Sequence, residues 1–422
     1  MKRRLISALL LISILKPSVL FAEDALQAMP AVSKEWRAIT EPLLTLGDRI
    51  APLAGDVDSP QLRYEMYQFI YSQIAQGYIG SNYADPEHPD FWPYLNNVFN
   101  SIDPNPDDMY YLAPVDGGGT YRISGYRGKV KILDVSISGG TLIPHGYGPI
   151  GQTYANYNPD ELKIGKDGYF EVLLSNERPA GYKGNWWKLD QNATYINIRQ
   201  IASDWLRETD ARLAIERLDR PVTRQRPTPQ EVEANLKHVA VWAESWAKAS
   251  LTWIRGFQNI PPNTVTLKQY SDLGGVSVQT YIYGMFDLNE DEALIYETAV
   301  PKSCRYWAIQ LNDSLFRSID WVTRQTSLNG YTARIDKDGK FRAVISAKDP
   351  GVPNWLDDAG YKKGAMFGRW HTCSSTPTPT VTKVKLADVR KYLPADTPVI
   401  SADEREVALR LRQKAFQLRR RW

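Results

Sequence analysis

The chain has 422 residues, of which 43% are hydrophobic and 23% charged, and its formal net charge is +3. This is the composition of a globular protein long enough for two hydrophobic cores, and it argues against intrinsic disorder. The two cysteines and four histidines show no metal-ligand spacing, so we expect no metal site.

The N-terminus has the pattern of a secretory signal peptide. A basic stretch precedes an apolar run at residues 5–15, and Ala22 offers a small residue for cleavage before Glu23. The run is too short to span a bilayer, so we predict a signal peptide over residues 1–22 and an exported product, periplasmic or extracellular, with no transmembrane span. Cleavage removes four cations and takes the net charge from +3 to −1. A near-neutral chain lacks the basic field that nucleic-acid binding needs, so we expect no nucleic-acid partner.

Residues 23–109 are predicted to form a helical region followed by a connector. Ser59 and Pro60 are the residue types of a helix N-cap and first turn. The apolar residues Leu62, Met66 and Phe69 follow at spacings of three and four, which predicts an amphipathic helix.

A change to period-two alternation predicts a first β domain over residues 110–220. Residues 120–124 and 129–137 flank a short glycine-containing segment at 125–128. This arrangement predicts a β-hairpin.

A long linking helix is predicted within residues 221–262. Thr228 and Glu231 have the spacing of a capping box, and a proline occupies the first turn. Three tryptophans repeat at helical spacing: Trp242, Trp246 and Trp253. A stripe that stacks on a ligand is one interpretation, but this spacing is typical of a face that packs on the core.

Short alternating strands with frequent turn signals predict a C-terminal β-sandwich over residues 263–395. Cys304 and Cys373 both lie there, and an exported compartment favours a disulfide between them, with two buried thiols as the alternative. A last helix is predicted within residues 396–422. The fold class is therefore mainly β with α additions, in which two antiparallel, jelly-roll-like β-sandwich regions are joined by a long amphipathic helix.

Residues 349–371 hold the side chains that a polar-ligand site would use, on a loop shaped by prolines and glycines. Carboxylates and a histidine suit acid–base chemistry, a guanidinium suits an anionic group, and aromatic rings suit the apolar faces of sugars. The catalytic candidates are Asp349, Asp357 and His371, and the binding candidates are Asn354, Trp355, Arg369 and Trp370. The same residues could instead brace the loop, because an ordered loop must satisfy its own polar groups.

The loop motifs DPGVPNWLDDAG at residues 349–360 and FGRWH at residues 367–371 resemble the bacterial domain of unknown function 1214 family. The resemblance extends upstream to GMFDLNEDEALIYE at residues 284–297, CRYWAIQLNDS at residues 304–314 and RQTSLN at residues 324–329. Residues 105–110, 121–128 and 203–205 also look like the region that precedes this domain in long family members. The resemblance implies no settled reaction.

The common catalytic motifs are absent from the sequence, including G-x-S-x-G, H-E-x-x-H and a dinucleotide fingerprint, and we expect no cofactor. Our leading hypothesis is that the protein binds a carbohydrate or similarly hydroxylated small molecule at the 349–371 loop, with processing of that ligand left open. One alternative is a cofactor-free hydrolase or lyase that uses Asp and His of this loop. Another is a structural cell-envelope protein. The sequence leaves open whether the protein forms a homo-oligomer.

Overall fold

The computed structural model describes residues 32–54, 59–140, 151–257, 259–269 and 278–419. The signal peptide predicted over residues 1–22 lies outside these ranges. Within them, no helix combines the length and the apolar character needed to cross a membrane. The protein is mainly β, with two sets of largely antiparallel sheets and a helix between them, which confirms the predicted fold class. The predicted domain boundaries stay predictions.

Three helices begin the described structure: α1 (Lys34–Leu44), α2 (Leu46–Ile50) and α3 (Pro60–Tyr78). The Ser59 side chain caps α3 by accepting a hydrogen bond from the Leu62 amide at 3.0 Å. Met66, Phe69 and other apolar residues of α3 are buried, so the predicted amphipathic helix is confirmed.

The first β-sandwich contains two sheets. Their strand orders are β1-β2-β8-β4-β5 and β7-β6-β3-β9. The strands are β1 (Trp92–Leu95), β2 (Asp108–Pro114), β3 (Tyr121–Tyr126), β4 (Ile132–Ser138), β5 (Thr153–Tyr157), β6 (Tyr169–Ser175), β7 (Trp186–Lys188), β8 (Tyr195–Ile201) and β9 (Arg212–Arg217). Alternate residues such as Ile196 and Ile198 of β8 enter a core shared by the two sheets.

The second β-sandwich follows along the chain, with strand orders β10-β11-β17-β13-β14 and β16-β15-β12-β18. The strands are β10 (Thr264–Lys268), β11 (Gln279–Asp287), β12 (Glu292–Ala299), β13 (Cys304–Asn312), β14 (Ser327–Asn329), β15 (Lys340–Ser346), β16 (Trp355–Asp357), β17 (Lys363–Cys373) and β18 (Thr380–Lys385). Its core includes Ile309 of β13 and Met366 and Trp370 of β17.

The two sandwiches have the same topology. Adding nine to each strand number of the first sandwich gives the two strand orders of the second. Side chains repeat with the strands, because Asn185 and Asn354 occupy equivalent positions just before β7 and β16. Each asparagine accepts one backbone N–H and donates to two backbone carbonyls of neighbouring segments. One structural unit is therefore used twice in this chain.

The hairpin predicted from residues 120–124 and 129–137 is wrong. β3 pairs with β6 and β9, whereas β4 pairs with β5 and β8 in the opposite sheet. The chain crosses between the sheets through Gly128, which has a φ of 67°. A Cβ atom there would stand 2.4 Å from the Thr209 carbonyl oxygen, so the crossing requires glycine.

The linking helix α4 (Pro229–Arg255) has the predicted capping box. The Thr228 amide donates to the Glu231 carboxylate at 2.7 Å, and the Thr228 hydroxyl accepts from the Glu231 amide at 3.3 Å. Trp242 and Trp246 are buried against the outer face of the sheet that contains β1 and β2. These two tryptophans fill core rather than facing a ligand.

A C-terminal helix, α5 (Ala402–Leu418), packs against both sandwiches. Ser401 and Glu404 form its capping box. Phe416 contacts Trp205 and Trp321 edge-on in the core of the first sandwich, and Arg405 pairs with Asp349 of the second sandwich at 2.9 Å. The helix therefore bridges the two units.

Candidate functional site

The carboxylates and the asparagine of the predicted loop are bonded within the fold. Asp349 pairs with Arg405 at 2.9 Å, and Asp357 pairs with Arg324 at 2.7 Å. Asn354 forms hydrogen bonds with the backbone of Arg334 and donates to the Arg342 carbonyl. These contacts brace the loop, which is the alternative role considered from the sequence. The catalytic and binding roles of these three residues stay predictions.

The two loop tryptophans are buried. Trp355 is 7% exposed, donates to the Ser346 carbonyl at 2.9 Å and lies beneath the Arg405 guanidinium. Trp370 is 1% exposed and packs against Trp307 in the core of the second sandwich. Stacking on a sugar requires an accessible ring face, which neither residue offers in this structure.

Arg369 and His371 of the predicted set lie elsewhere, on strand β17. Alternation along this strand sends Met366 and Trp370 into the core of their own sandwich, so Arg369 and His371 point outward. The disulfide between Cys304 and Cys373 joins the neighbouring ends of β13 and β17, as predicted for an oxidising compartment.

The outward faces of the β2-containing and β11-containing sheets meet in what we call the polar layer. Ile132 and Ile201 of the first sandwich pack there against Tyr306 and Ala308 of the second. An outward strand face is normally solvated, but here the partner sandwich covers it, so polar side chains become buried. The polar layer consists of Asp103, Asp108, Tyr110, Asp134, Asn197, Arg199, Tyr281, Tyr306, Gln310, Asn312, Arg369 and His371.

Two tyrosine–arginine pairs occupy equivalent positions of the repeated topology. Tyr110 on β2 stands opposite Arg199 on β8, and Tyr281 on β11 stands opposite Arg369 on β17. Both arginines interact electrostatically with both tyrosines, so the pairs share one environment. Arg199 and Tyr281 are partly exposed, whereas Arg369 is only 4% exposed. The layer is thus open at Arg199 and closed behind Arg369.

Arg369 is incompletely bonded. One terminal nitrogen lies 3.3 Å from the Asp103 carboxylate and donates to the Gln310 amide oxygen at 3.0 Å. Its Nε has no hydrogen-bond partner among the residues described. A buried guanidinium N–H without an acceptor is costly, so this nitrogen is suited to an incoming acceptor.

Buried carboxyl groups in the layer have unusual electrostatics. Burial raises the pKa of Asp103 to about 7, although Arg369 acts to lower it. Burial also raises the pKa of Asp108 to about 7, against the opposing effect of Arg199. Both arginines keep their charge, because nearby acidic groups outweigh the effect of burial on the guanidinium pKa. Near neutral pH these two carboxyls therefore neutralise the two arginines only in part.

His371 faces Asp134 across the layer. The His371 Nε2 lies 3.5 Å from an Asp134 carboxylate oxygen, and neither atom has a hydrogen-bond partner within the described ranges. The other ring nitrogen contacts the Thr372 hydroxyl at 3.0 Å. The predicted proton-transfer candidate thus stands beside Arg369 and away from the 349–360 motif.

A hydrogen-bonded network leads from the layer to the outside of the first sandwich. The Tyr306 hydroxyl donates to Asp107 at 2.7 Å and accepts from the Asn105 amide at 3.0 Å. The Trp205 indole donates to the second Asp107 oxygen at 2.8 Å. Residues 105–110 and 203–205, singled out in the sequence, therefore meet at the junction of the two sandwiches.

Residues 287–369 match the DUF1214 family, whose description is a protein of unknown function. The match confirms the resemblance seen in the loop motifs. The DUF1214 segment supplies Tyr306, Gln310 and Arg369 to the polar layer, whereas Tyr110 and Arg199 precede it. The layer thus requires both sandwiches.

Two solved structures are similar to this chain. A crystal structure of an uncharacterised protein from Burkholderia cenocepacia has 27% sequence identity and a TM-score of 0.76, covering 84% of this chain and 97% of its own. A structure from Vibrio parahaemolyticus has 14% identity and a TM-score of 0.42, covering 75% of this chain and 98% of its own. A comparison with curated proteins finds no match.

Sequence reasoning missed Arg199, Tyr281 and Asp103, and it assigned no role to Tyr110 although residues 105–110 were singled out. The internal repeat was the signal that could have found them, because residues 164–175 (IGKDGYFEVLLS) and 335–346 (IDKDGKFRAVIS) are visibly similar. In the part of the chain that the structure covers, no group of three or more His, Cys, Asp or Glu side chains is placed to hold a metal ion.

Proposed function

We propose that the protein binds a small hydroxylated molecule carrying an acidic group, such as a sugar acid, in the polar layer. The observation that carries this proposal is the unpartnered Nε of buried Arg369, beside a second, partly exposed arginine at the equivalent strand position. The proposal keeps the hydroxylated ligand predicted from the sequence and moves its site from the 349–360 motif to the layer.

The charges of the layer support an acidic group. Arg199 and Arg369 stay cationic, while Asp103 and Asp108 both have a pKa raised to about 7. A ligand carboxylate would add negative charge beside Arg369, whose Nε lacks an acceptor among the described residues, and arginine binds carboxylates through paired N–H donors.

Unpartnered acceptors support hydroxyl groups on the same ligand. The side-chain oxygens of Asn197 and Asn312 and one oxygen of Asp134 have no hydrogen-bond donor among the described residues. An acceptor needs a donor, and a hydroxyl can donate to it while also accepting from a tyrosine or an arginine. A polyol acid offers both kinds of group.

The test is a thermal-shift and calorimetric screen of uronic and aldonic acids against the matched neutral sugars. A ligand at about 100 times its Kd should stabilise the protein by ~2.7 kcal/mol. Arg199→Gln should reduce the shift, because Arg199 lies at the open side of the layer, where the hydroxylated end of the ligand would bind. Arg122→Gln is the matched control, since Arg122 forms an exposed pair with Glu216. Equal binding of neutral sugars, or full binding by Arg199→Gln, would refute the proposal.

A second candidate function is acid–base catalysis in the same layer, as in the hydrolase or lyase predicted from the sequence. The facing side chains of His371 and Asp134 favour it. A bound hydroxyl group within reach of His371 could lose or gain a proton there. His371→Gln should then abolish turnover of glycoside or ester substrates while leaving the affinity for sugar acids unchanged. Unchanged turnover would exclude His371.

We also propose that the protein is exported. The basic, apolar N-terminus and the Cys304–Cys373 disulfide both support this. Cell fractionation and N-terminal sequencing should find a mature chain that begins at Glu23 outside the cytoplasm. If no ligand binds the exported protein, the structural cell-envelope role is the better hypothesis.

A further inference from the structure

A cavity of about 360 Å³ lies where α5 crosses the junction of the two sandwiches. Its walls include Trp205 and Leu206 from the first sandwich, Leu328 and Asn329 from the second, and Leu411 and Ala415 from α5. The volume falls in the range of small-molecule sites. Among its lining residues, Asp107 and Trp205 also belong to the hydrogen-bonded network that leads to the polar layer.

The helical wall of this cavity is fixed by three arginines spaced seven residues apart. Arg405 pairs with Asp349 at 2.9 Å and donates to the Val352 carbonyl at 2.5 Å. Arg412 donates to the Ser327 hydroxyl at 2.7 Å. Arg419 pairs with Asp210 of the first sandwich at 2.6 Å. Because α5 is bonded at both ends and its middle, the cavity is preformed.

The polar groups that line the cavity are already bonded to the protein. The Asn329 side chain donates to the Ser203 carbonyl at 3.0 Å and accepts from the Tyr331 amide at 2.9 Å. The Trp205 indole is bonded to Asp107. With its polar groups satisfied and leucine, alanine and tryptophan in its walls, the cavity offers apolar surface to a ligand.

The mouth of the cavity combines exposed apolar groups with a cation. Leu206, Tyr331 and Leu411 are 47%, 55% and 53% exposed. The Arg207 side chain is 78% exposed and forms only long contacts, an ion pair with Asp204 at 3.7 Å and a hydrogen bond from Nη1 to the Tyr331 hydroxyl at 3.5 Å. A molecule whose apolar body fills the cavity would place its polar end beside Arg207.

We propose that this cavity is a second binding site, for an amphipathic aliphatic acid. The apolar chain lies between Trp205, Leu328 and α5, and the carboxylate lies at Arg207. This site differs in ligand chemistry from the polar layer, because apolar burial drives binding here and polar pairing drives binding there.

The experiment is isothermal titration calorimetry of the full chain with decanoate, decanol and butyrate. Decanoate should bind, and butyrate should bind at least tenfold more weakly because it buries less apolar surface. Ala408→Trp should weaken decanoate binding at least tenfold, because Ala408 lines the cavity from an exposed position of α5. Val407→Trp is the matched control. Val407 is 66% exposed on the same helix and is not among the lining residues, so the Val407→Trp variant should bind decanoate as the wild type does.

The position of the acidic end has its own test. Arg207→Gln should weaken decanoate about threefold to fivefold and leave decanol unchanged, as expected for one exposed charge pair. Arg199→Gln should not change decanoate binding, which separates this site from the polar layer. Absence of decanoate binding, equal affinity in Ala408→Trp and Val407→Trp, or an equal effect of Arg207→Gln on decanol would overturn the assignment.

Discussion

Replacement of Asp108 by asparagine tests the electrostatics of the polar layer directly. Asp108 is 6% exposed, and its Oδ1 accepts the Gln200 amide at 2.7 Å. Burial raises the pKa of this carboxyl to about 7. Asparagine keeps an oxygen for the Gln200 amide but removes the titrating charge, so Asp108→Asn isolates the cost of ionising a buried carboxyl.

The sign and size of the effect follow from proton linkage. Aspartate in the unfolded chain titrates near pH ~3.9, so the folded protein binds this proton more tightly than the unfolded protein. The stability contributed by the protonated form is complete below that pH and is lost as pH rises through about 7. Each pH unit in this window is worth ~1.4 kcal/mol until the carboxyl begins to ionise, so raising the pH from about 5 to about 7 should cost the wild type ~2 kcal/mol through Asp108.

The assay is urea unfolding of both proteins at a series of pH values. The free energy of unfolding of Asp108→Asn, relative to wild type, should rise by about 2 to 3 kcal/mol between about pH 5 and about pH 7. Glu290→Gln is the control, because the Glu290 side chain is 83% exposed and its variant should show no such trend. A pH-independent difference between Asp108→Asn and wild type, or one that falls with pH, would refute the reasoning.

Asn354→Ala should lower the free energy of unfolding by ~3 kcal/mol, because it strips partners from buried backbone groups, whereas Asn185→Ala should cost less since water reaches its position. Chemical denaturation of the two variants checks this, and a greater loss in Asn185→Ala would contradict it. Replacing Cys304 and Cys373 by serine should cost ~4 kcal/mol, because the bridge closes a loop with a sequence separation of 69. An unchanged melting temperature, compared with wild type under non-reducing conditions, would show that the bridge does not constrain the chain.

Local signals in the sequence were sufficient for the helices and for most strands. The Thr228 and Glu231 pattern marks the start of α4 because a capping box depends only on residues within one turn. Period-two alternation likewise locates strands such as β13 and β15. This alternation does not say which strands pair. The segment around Gly128 therefore suggested a hairpin, whereas in the structure it carries the chain from β3 in one sheet to β4 in the opposite sheet.

The site was harder to predict because its residues are distant in sequence. The role of each residue also depends on the side chains that the fold places next to it. Asp349 and Trp355 have the chemistry of ligand-binding residues, but the structure uses them to hold Arg405 and the Ser346 carbonyl. Arg199 can also bind a polar ligand, but the sequence around it predicts only an ordinary strand. Only the packing of one sandwich on the other brings it near Tyr281, and no local pattern encodes that packing.

The repeat also shows why Arg199 and Arg369 have different carboxylate partners. Asp134 on β4 stands opposite Arg199, and the equivalent position on β13, opposite Arg369, is Ala308. Arg369 therefore draws its carboxylate from Asp103, outside the strands, at 3.3 Å and through one nitrogen. Because this contact leaves the Nε of Arg369 without an acceptor, an acidic group should bind nearer to Arg369. The hydroxylated end then points toward Arg199 and Tyr281, where the layer opens.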